Sequence, residues 1–272
     1  MTGRDTVFAG SIPALYDRYL GPLLFAPYAR DLAERVTDLE VGQLLETAAG
    51  TGIVTEALAD RLPTAVRLVA TDLNQAMVDH AAAKPGLSRA TLRQADALRL
   101  PFDDASFDAV LCQFGVMFFP DRVAGYREAR RVLKPGGRFI FSVWGALEHN
   151  PITRCVVDAM AARYPQNPPR FLARTPHGHH DISVIRRELA AAGFDGPSIE
   201  TVTLSSRAPS ADYPAIGFCQ GTPMRAEIEA LDPSGLEAAT ETAAAAVRAA
   251  FGAGPIEAPM QAVMVAARKI GP

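Results

Sequence analysis

Residues 44–52 of the chain are Leu-Leu-Glu-Thr-Ala-Ala-Gly-Thr-Gly, and residues 53–58 continue as Ile-Val-Thr-Glu-Ala-Leu. A short apolar run ends in an acid, crosses small residues and enters a helical pattern. This order predicts a strand, a tight turn and a helix N-terminus, the place where α/β proteins bind nucleotide-like ligands. Small residues let the backbone approach a ligand closely, and Glu46 can accept hydrogen bonds from it. Because a Gly-x-Gly turn is also common as an ordinary tight turn, the motif needs support from the rest of the chain.

Further acids follow the next predicted strands. Residues 66–71 form a largely apolar run, and Asp72 ends it, 20 residues beyond Gly52. An acid at this spacing is typical of a site that binds a ribose, because two carboxylate oxygens match two vicinal hydroxyls. Asp96 and Ala97 follow as the next motif along the chain.

Two more motifs complete the series. Phe-Asp at 107–108 leads into another apolar run, and Leu-Lys-Pro-Gly-Gly at 133–137 precedes a strand pattern at 138–143. In order and spacing, the series resembles the class I S-adenosylmethionine-dependent methyltransferases, in the branch of small-molecule and quinone-type enzymes. The resemblance is dense over residues 43–144 and looser over the remainder.

The resemblance implies both a fold and a reaction. The expected fold is α/β and Rossmann-like, with a seven-stranded sheet of six parallel strands and one antiparallel strand, helices on both faces and helical lid insertions. The expected reaction is methyl transfer from S-adenosyl-L-methionine to a small, partly apolar metabolite by in-line displacement, with S-adenosyl-L-homocysteine as product. A protein that keeps the fold and the cofactor but catalyses another reaction, or only binds its ligand, remains an alternative, since a fold does not dictate the reaction.

The resemblance also implies cofactor-binding roles for residues at strand ends and in the loops after them. These residues are Glu46, Ala48, Gly50, Thr51 and Gly52 for the methionine part, Asp72 for the ribose, Leu73, Met77, Asp96 and Ala97 for the adenine, and Gln113 and Phe114 for the methyl-transfer face. A sulfonium also favours aromatic faces, which adds Tyr16 and Tyr19 as candidates. Without the resemblance, Leu73 and Met77 fit a core role equally well.

The loop departs from two patterns. Ala48 stands where the family loop has the first of three alternating glycines. Its methyl group is expected to narrow the floor under the methionine part without abolishing the turn. Ile53 and Val54 follow Gly52, so the third glycine of the dinucleotide fingerprint Gly-x-Gly-x-x-Gly is missing. An NAD-dependent oxidoreductase is therefore only a remote alternative.

Composition and cysteine usage favour a cytoplasmic protein. The chain has 272 residues, of which 49% are hydrophobic, enough to bury a sizeable core. Its apolar runs fall well short of the ~18 residues that a membrane span needs, and its start lacks the layout of a secretory signal. Cys112, Cys155 and Cys219 are odd in number and far apart, which argues against a disulfide framework or a thiolate metal cluster.

Charge argues against a nucleic-acid substrate. The formal net charge is −3, whereas nucleic-acid binders carry clustered basic residues on one face. The basic residues within 127–134 fall near the end of a predicted helix, where cations suit the helix dipole. Residues 113–116, Gln-Phe-Gly-Val, lack the Asn-Pro-Pro-aromatic signature of enzymes that methylate base amines. We expect a small-molecule substrate, no nucleic-acid or membrane partner, and a monomer or homodimer.

The organisation along the chain predicts one methyltransferase domain over residues 1–272. Its cofactor-binding core is expected at 41–147, an N-terminal helical cap at 1–40, and lid or substrate-pocket insertions at 164–181 and 209–259. The cap and the insertions are expected to roof the cofactor site, because a parallel sheet leaves its ligand crevice open beyond the strand ends. The alternative is that they merely cover sheet edges and helices.

Local patterns predict the individual elements. Hydrophobic periodicity and capping residues predict helices over 52–62, 75–83, 122–133 and 182–192. The last two strands are expected at 198–206 and 261–269, more than 50 residues apart. Ser234 and Glu237 form a capping-box pattern ahead of an Ala-rich helix.

Histidines offer a candidate base and a weak metal pattern. His149 follows the fifth predicted strand and is the candidate base for an acceptor that must lose a proton. His177, His179 and His180 precede Asp181, but a glycine and several prolines nearby indicate an exposed loop. No matching distant ligand motif accompanies them, so no metal site is predicted.

Overall fold

The computed structural model of the chain describes residues 5–271, and it contains a seven-stranded sheet in the order β3-β2-β1-β4-β5-β7-β6. The strands are β1 (Gly42–Thr47), β2 (Val66–Asp72), β3 (Ala90–Gln94), β4 (Phe107–Gln113), β5 (Leu133–Trp144), β6 (Ser198–Ala208) and β7 (Ile256–Arg268). Neighbours among β1 to β5 pair in parallel, and β7 pairs antiparallel with β5. The predicted Rossmann-like sheet with an antiparallel last strand is confirmed.

Helices connect these strands. They are α1 (Ile12–Leu15), a π-helix (Tyr16–Phe25), α2 (Ala26–Glu34), α3 (Ile53–Arg61), α4 (Gln75–Ala82), α5 (Arg122–Val132), α6 (Pro151–Arg163), α7 (Phe171–Arg174), α8 (Ile182–Ala191), α9 (Asp212–Gln220), α10 (Met224–Leu231) and α11 (Leu236–Phe251). Helices α3, α4, α5 and α8 begin and end within one residue of the predicted bounds. Asp121 and Asp181 cap α5 and α8 by accepting backbone N–H groups of the first turn.

Two local predictions near the end of the chain are wrong. Strands β6 and β7 are longer than predicted, so only residues 209–255 separate them, which is 47 residues rather than more than 50. Helix α11 begins at Leu236, and Gly235 is its N-cap without a side-chain cap bond. The Ser234 hydroxyl instead lies 3.5 Å from Oδ1 of Asp232, so the predicted capping box does not form.

Contacts divide the chain into two compact units. The helical unit contains the residues up to Pro27, Gly145–Gly178 and Thr203–Gln261. The sheet unit contains Tyr28–Trp144, His179–Val202 and the residues from Ala262 onward. The predicted cap at 1–40 is divided between them after Pro27, and the lid role of the insertions stays a prediction.

The sheet unit buries its central strands on both faces. Leu44 and Leu45 are adjacent in β1 and therefore point to opposite faces, yet each is fully buried. One core cluster joins Leu44 to Leu32 of α2 and Leu58 of α3. Two-sided burial is what a parallel sheet with helices on both faces requires. Among residues 5–271, every helix is too short or too polar to span a bilayer.

The strand order places a crevice at one sheet edge. Strand β1 has β2 on one side and β4 on the other, so the chain reverses its direction of travel across the sheet at this point. In open α/β sheets, ligands bind outside the carboxyl ends of the strands where the order reverses. The loops after β1, β2 and β4 therefore define the candidate site.

Candidate active site

The loop after β1 alternates left-handed backbone conformations. Ala48, Gly50 and Gly52 have φ values of 51°, 57° and 82°. Left-handed residues at alternate positions turn the chain tightly, and the N–H groups of Ala49 and Gly52 donate to the carbonyls of Thr71 and Ala49. Ala48 adopts the conformation despite its side chain, so the turn survives the loss of the first glycine. Gly52 is also the N-cap residue of α3, and a Cβ added to it would lie 2.4 Å from Leu87 Cδ1.

The methyl group of Ala48 fits because a glycine faces it from the loop after β4, the neighbouring strand in the sheet. A Cβ added to Gly115 would lie 2.5 Å from the Ala48 Cβ and 2.6 Å from the Cys112 sulfur. These separations are far below van der Waals contact, so Gly115 cannot carry a side chain in this arrangement. The loops after β1 and β4 are thus packed directly against each other.

Glu46 is a buried acid at the carboxyl end of β1. Its Oε2 accepts a hydrogen bond from the Thr55 hydroxyl at 2.5 Å. Burial raises the pKa of Glu46 to about 8; the Thr55 hydroxyl opposes the shift, and the nearby Asp72 charge adds to it. At neutral pH the carboxyl is therefore mainly protonated, and a cation placed beside it would favour ionisation.

Asp72 ties the loops after β1 and β2 together. Its Oδ2 accepts the backbone N–H of Gly50 at 2.8 Å, and its Oδ1 accepts that of Asn74 at 2.8 Å. Burial raises the pKa of Asp72, and these backbone donors oppose the shift. Oδ1 also accepts the side-chain amide of Asn74 at 3.5 Å, whereas Oδ2 keeps a second lone pair for a ligand hydroxyl. Sequence reasoning placed Asp72 at the strand end but missed its bond to Gly50.

The predicted adenine-binding residues lie beyond β2 and β3. Gln94 pairs with Asp72 across these strands, so Asp72 and Asp96 lie at the same edge of the sheet. Asp96 is exposed, and its Oδ1 accepts the backbone N–H of Leu98 at 2.9 Å. The next residue in the chain, Ala97, is half-buried.

The two predicted apolar contacts of the adenine differ in exposure. Leu73 is 48% exposed, whereas Met77 in α4 is only 3% exposed. An exposed leucine in the loop after β2 suits a ligand contact. Met77 fits a core position, and its contact with adenine stays a prediction.

Aromatic side chains surround the carboxyl ends of β4 and β5. Gln113 ends β4, and Phe114 follows it with a φ of 50°. The Phe114 ring stacks on Trp144, the last residue of β5, with ring centroids 3.8 Å apart. The Tyr28 ring meets Phe114 edge-on at 5.3 Å. Sequence reasoning found Phe114 but missed Trp144 and Tyr28, although a tryptophan at the end of β5 was a signal for this edge.

Comparison with known proteins agrees with this geometry. A family model described as a methyltransferase domain matches residues 45–141. Demethylmenaquinone methyltransferase of Deinococcus radiodurans is 44% identical over 100 residues, covering 36% of this chain and 41% of that protein. Demethylmenaquinone methyltransferase of Corynebacterium urealyticum is 31% identical over 185 residues, covering 64% of this chain and 77% of that protein. The chain belongs to the class I S-adenosylmethionine-dependent methyltransferases.

The methyltransferase fold extends beyond the matched sequence. Phosphoethanolamine N-methyltransferase 2 of Haemonchus contortus, solved in complex with S-adenosyl-L-methionine, aligns with a TM-score of 0.62 at 16% identity. The alignment covers 100% of this chain and 60% of that chain. By sequence, the chain spans 41% of the length of the Deinococcus relative.

The donor set of this methyltransferase fits its family's cofactor. Glu46 and Asp72, at the carboxyl ends of β1 and β2, carry the acceptor oxygens that an amino group and a pair of ribose hydroxyls require. The observation that supports the fit is the loop at Ala48–Gly52, whose left-handed turns let the backbone approach a ligand closely and whose Gly50 N–H fixes the Asp72 carboxylate beside it.

Tyr16 and Tyr19 lie in the helical unit of this methyltransferase. Tyr16, in the π-helix, stacks on Phe25 at 4.7 Å, and Tyr19 meets Tyr213 edge-on at 4.8 Å. π-Helices are rare and are often found at functional sites. That these tyrosines contact the cofactor stays a prediction.

The histidine predictions fare differently. His149 is exposed at the end of a short 3-10 helix, and its role as base stays a prediction. The predicted exposed loop is wrong for His177 and His179, which are 5% and 6% exposed. In the helical unit, Nδ1 of His177 donates to the Gly145 carbonyl at 2.8 Å, and in the sheet unit burial lowers the pKa of His179 to about 4. Within residues 5–271, no group of three or more metal-ligating side chains is placed to hold an ion.

Proposed function

We propose that the protein transfers a methyl group from S-adenosyl-L-methionine to a small, partly apolar acceptor of the quinone type. The observation that carries the proposal is the left-handed loop at Ala48–Gly52, tied by Asp72 at the edge that also holds Asp96. The names of the demethylmenaquinone methyltransferase relatives support the quinone-type acceptor. The remote oxidoreductase alternative is set aside because the chain belongs to the methyltransferase family.

When bound, the cofactor supplies a methyl group already activated by the positive sulfonium, so the protein has to bind, align and exclude water. The backbone of 48–52 would hold the methionine carboxylate, and Glu46 its amino group. Asp72 would bind the ribose hydroxyls, while Asp96 and Ala97 would bind the adenine. Gln113 and Phe114 would line the face from which the methyl group leaves.

An acceptor carbon or hydroxyl must lose a proton when the new bond to the methyl group forms. His149 is the base proposed for that proton. In His149→Ala, kcat should fall while the affinity for S-adenosyl-L-methionine stays unchanged. An unchanged kcat would remove His149 from the proposal without affecting the rest of it.

Calorimetry and label transfer test the proposed function. S-adenosyl-L-methionine titrated into the wild-type protein should give a saturable heat, and methyl-labelled cofactor should pass its label to a short-chain demethylmenaquinol. No binding heat would overturn the proposal. Binding without label transfer to a panel of quinols and phenols would favour the alternative in which the fold and cofactor serve another reaction.

The proposal also covers the location, the partners and the assembly state of the protein. The protein is proposed to act in the cytoplasm on a small molecule, without a nucleic-acid or membrane partner, as a monomer or homodimer. Size-exclusion chromatography with light scattering would decide between the two assembly states.

A further inference from the structure

Phe114 has a backbone conformation that its side chain disfavours. Its φ of 50° lies in the left-handed region, which bulky residues rarely adopt because Cβ approaches the backbone carbonyl. Its N–H points to both the carbonyl and the hydroxyl oxygen of Ser142, at 3.1 and 3.2 Å. Non-glycine residues kept in such regions cluster at functional sites, where the surroundings hold them in place.

The ring of Phe114 is also in an arrangement that aromatic pairs disfavour. It lies parallel to the Trp144 ring within 1°, with centroids 3.8 Å apart. Free aromatic pairs prefer offset or edge-to-face geometry at wider spacing. The packing around the two rings, and not their own interaction preference, therefore sets the close parallel geometry.

Tyr28 completes this aromatic cluster. Its ring meets Phe114 and Trp144 edge-on, at 5.3 and 5.6 Å. Its hydroxyl donates to the carbonyl of Val202 at 3.1 Å, which fixes the ring from its far end. The three rings lie in the sheet unit and are almost fully buried, so little freedom remains for Phe114.

The strained residue is coupled to the cofactor loop through its neighbour. Gly115 follows Phe114 in the chain and packs against Ala48 with no room for a Cβ. A shift of Phe114 would therefore press on the floor of the loop at Ala48–Gly52. Phe114 thus has two unfavourable features, a left-handed backbone and a parallel ring stack, and it lies at the sheet edge where methyl transfer is proposed.

We infer that Trp144 is a positioning residue for methyl transfer, which acts by holding the Phe114 ring in place at the methyl-transfer face. This inference rests on the proposed function, since it presumes that the cofactor binds at this edge. Aromatic faces attract the sulfonium charge, and small displacements of an aligning group reduce the rate of an in-line displacement strongly. Trp144 should therefore affect the rate more than the affinity for the cofactor.

Trp144 is the single tryptophan of the chain, so its fluorescence in the wild-type protein is a direct probe. Addition of S-adenosyl-L-homocysteine should change the tryptophan emission, with the same midpoint that calorimetry gives for binding. Emission that stays constant while calorimetry shows saturation would overturn the inference, whether or not an acceptor has been found. If calorimetry shows no binding at all, it is the proposed function that fails.

Substitutions separate positioning from packing. In Trp144→Leu, which keeps an apolar side chain but loses the stack, kcat should fall about tenfold, with less than a threefold change in cofactor affinity. Trp144→Phe, which retains an aromatic ring, should recover most of the rate. Phe194→Leu is the matched control, because Phe194 is a fully buried aromatic of the same unit that packs on Phe139 instead.

The Phe194→Leu control shows how much rate is lost when only stability falls. Phe194→Leu should lower the free energy of unfolding without changing kcat. If Trp144→Leu retains the wild-type kcat, or if all three variants lose rate in proportion to stability, Trp144 is only a packing residue. The fluorescence experiment remains decisive if Trp144→Leu does not fold.

Discussion

The loops after β1 and β2 differ in kind from those after β4 and β5. The first pair is polar: the buried Asp72 accepts the N–H of Gly50, and the buried Glu46 accepts the hydroxyl of Thr55. The second pair is aromatic, with Phe114 stacked on Trp144. We call the loops after β1 and β2 the polar end and those after β4 and β5 the aromatic end. The polar end is proposed to bind the cofactor, and the aromatic end is proposed to align the methyl group with the acceptor. We therefore expect changes at the polar end to alter affinity and changes at the aromatic end to alter rate.

The largest expected effect is that of Asp72→Ala on cofactor affinity. The change removes the ribose acceptors and leaves the N–H groups of Gly50 and Asn74 without their carboxylate partner. Loss of charge-assisted hydrogen bonds of this kind should weaken binding by about ten- to hundredfold. Calorimetry with S-adenosyl-L-methionine measures the effect. Asp79→Ala, at an exposed acid of α4, is the control and should bind like the wild type. If Asp72→Ala binds the cofactor as tightly as Asp79→Ala, the polar end does not determine affinity.

The second effect should fall on the rate. Phe114→Leu keeps an apolar side chain in the same left-handed backbone but removes the aromatic face. We expect kcat to fall about tenfold, with cofactor affinity close to that of the wild type. Steady-state kinetics with labelled cofactor, beside calorimetry, separate the two quantities. A loss of affinity as large as that in Asp72→Ala would show that the two ends do not divide the work as proposed.

The third effect is a pH dependence of binding at the polar end. The pKa of Glu46 is raised to about 8 by burial, so below pH 8 the empty site mostly holds the protonated acid. A bound ammonium group favours the carboxylate, so binding releases a proton and affinity rises with pH until about 8. The increase should reach up to about tenfold per pH unit between 6 and 7. Calorimetry in several buffers would measure it, and Glu46→Gln should bind with a flat profile over this range.

The smallest effect concerns the missing glycine. Ala48→Gly relieves a left-handed alanine and should raise the free energy of unfolding by about 0.5–1 kcal/mol. Ala105→Gly offers a matched control, because Ala105 has a φ of 52° but is exposed in another loop. Both variants should gain stability in denaturant titrations, while only Ala48→Gly should change cofactor affinity. A change of affinity in Ala105→Gly would contradict the local explanation.

The same contrast explains what could be predicted from the sequence. The polar end depends on residue types that the backbone itself requires: glycines with positive φ, an acid at the end of a strand, a small residue at a close approach. These requirements appear locally, so Glu46, Asp72 and Asp96 could be assigned to one sheet edge before the fold was known. The helix bounds followed in the same way from periodicity and from capping residues, of which Asp121 makes its cap bond and Asn74 does not.

The aromatic end and the histidines depend on packing between residues distant in the chain. Nothing near Trp144 in the sequence shows that its ring meets Phe114, because β4 and β5 bring them together. His177 and His179 follow a local pattern typical of a loop, yet tertiary contacts bury them. The Ser234 capping pattern is likewise not used, because α11 begins at Leu236 with Gly235 as its N-cap. Local signals thus predict the part of the site made by the backbone better than the part made by side-chain packing.

A crystal structure with S-adenosyl-L-homocysteine would show whether the cofactor binds at this sheet edge. We expect the Asp72 carboxylate to accept both ribose hydroxyls, Asp96 to accept the adenine amino group, and the methionine carboxylate to lie on the backbone of residues 48–52. A ligand bound elsewhere, or one whose ribose lies away from Asp72, would contradict this expectation.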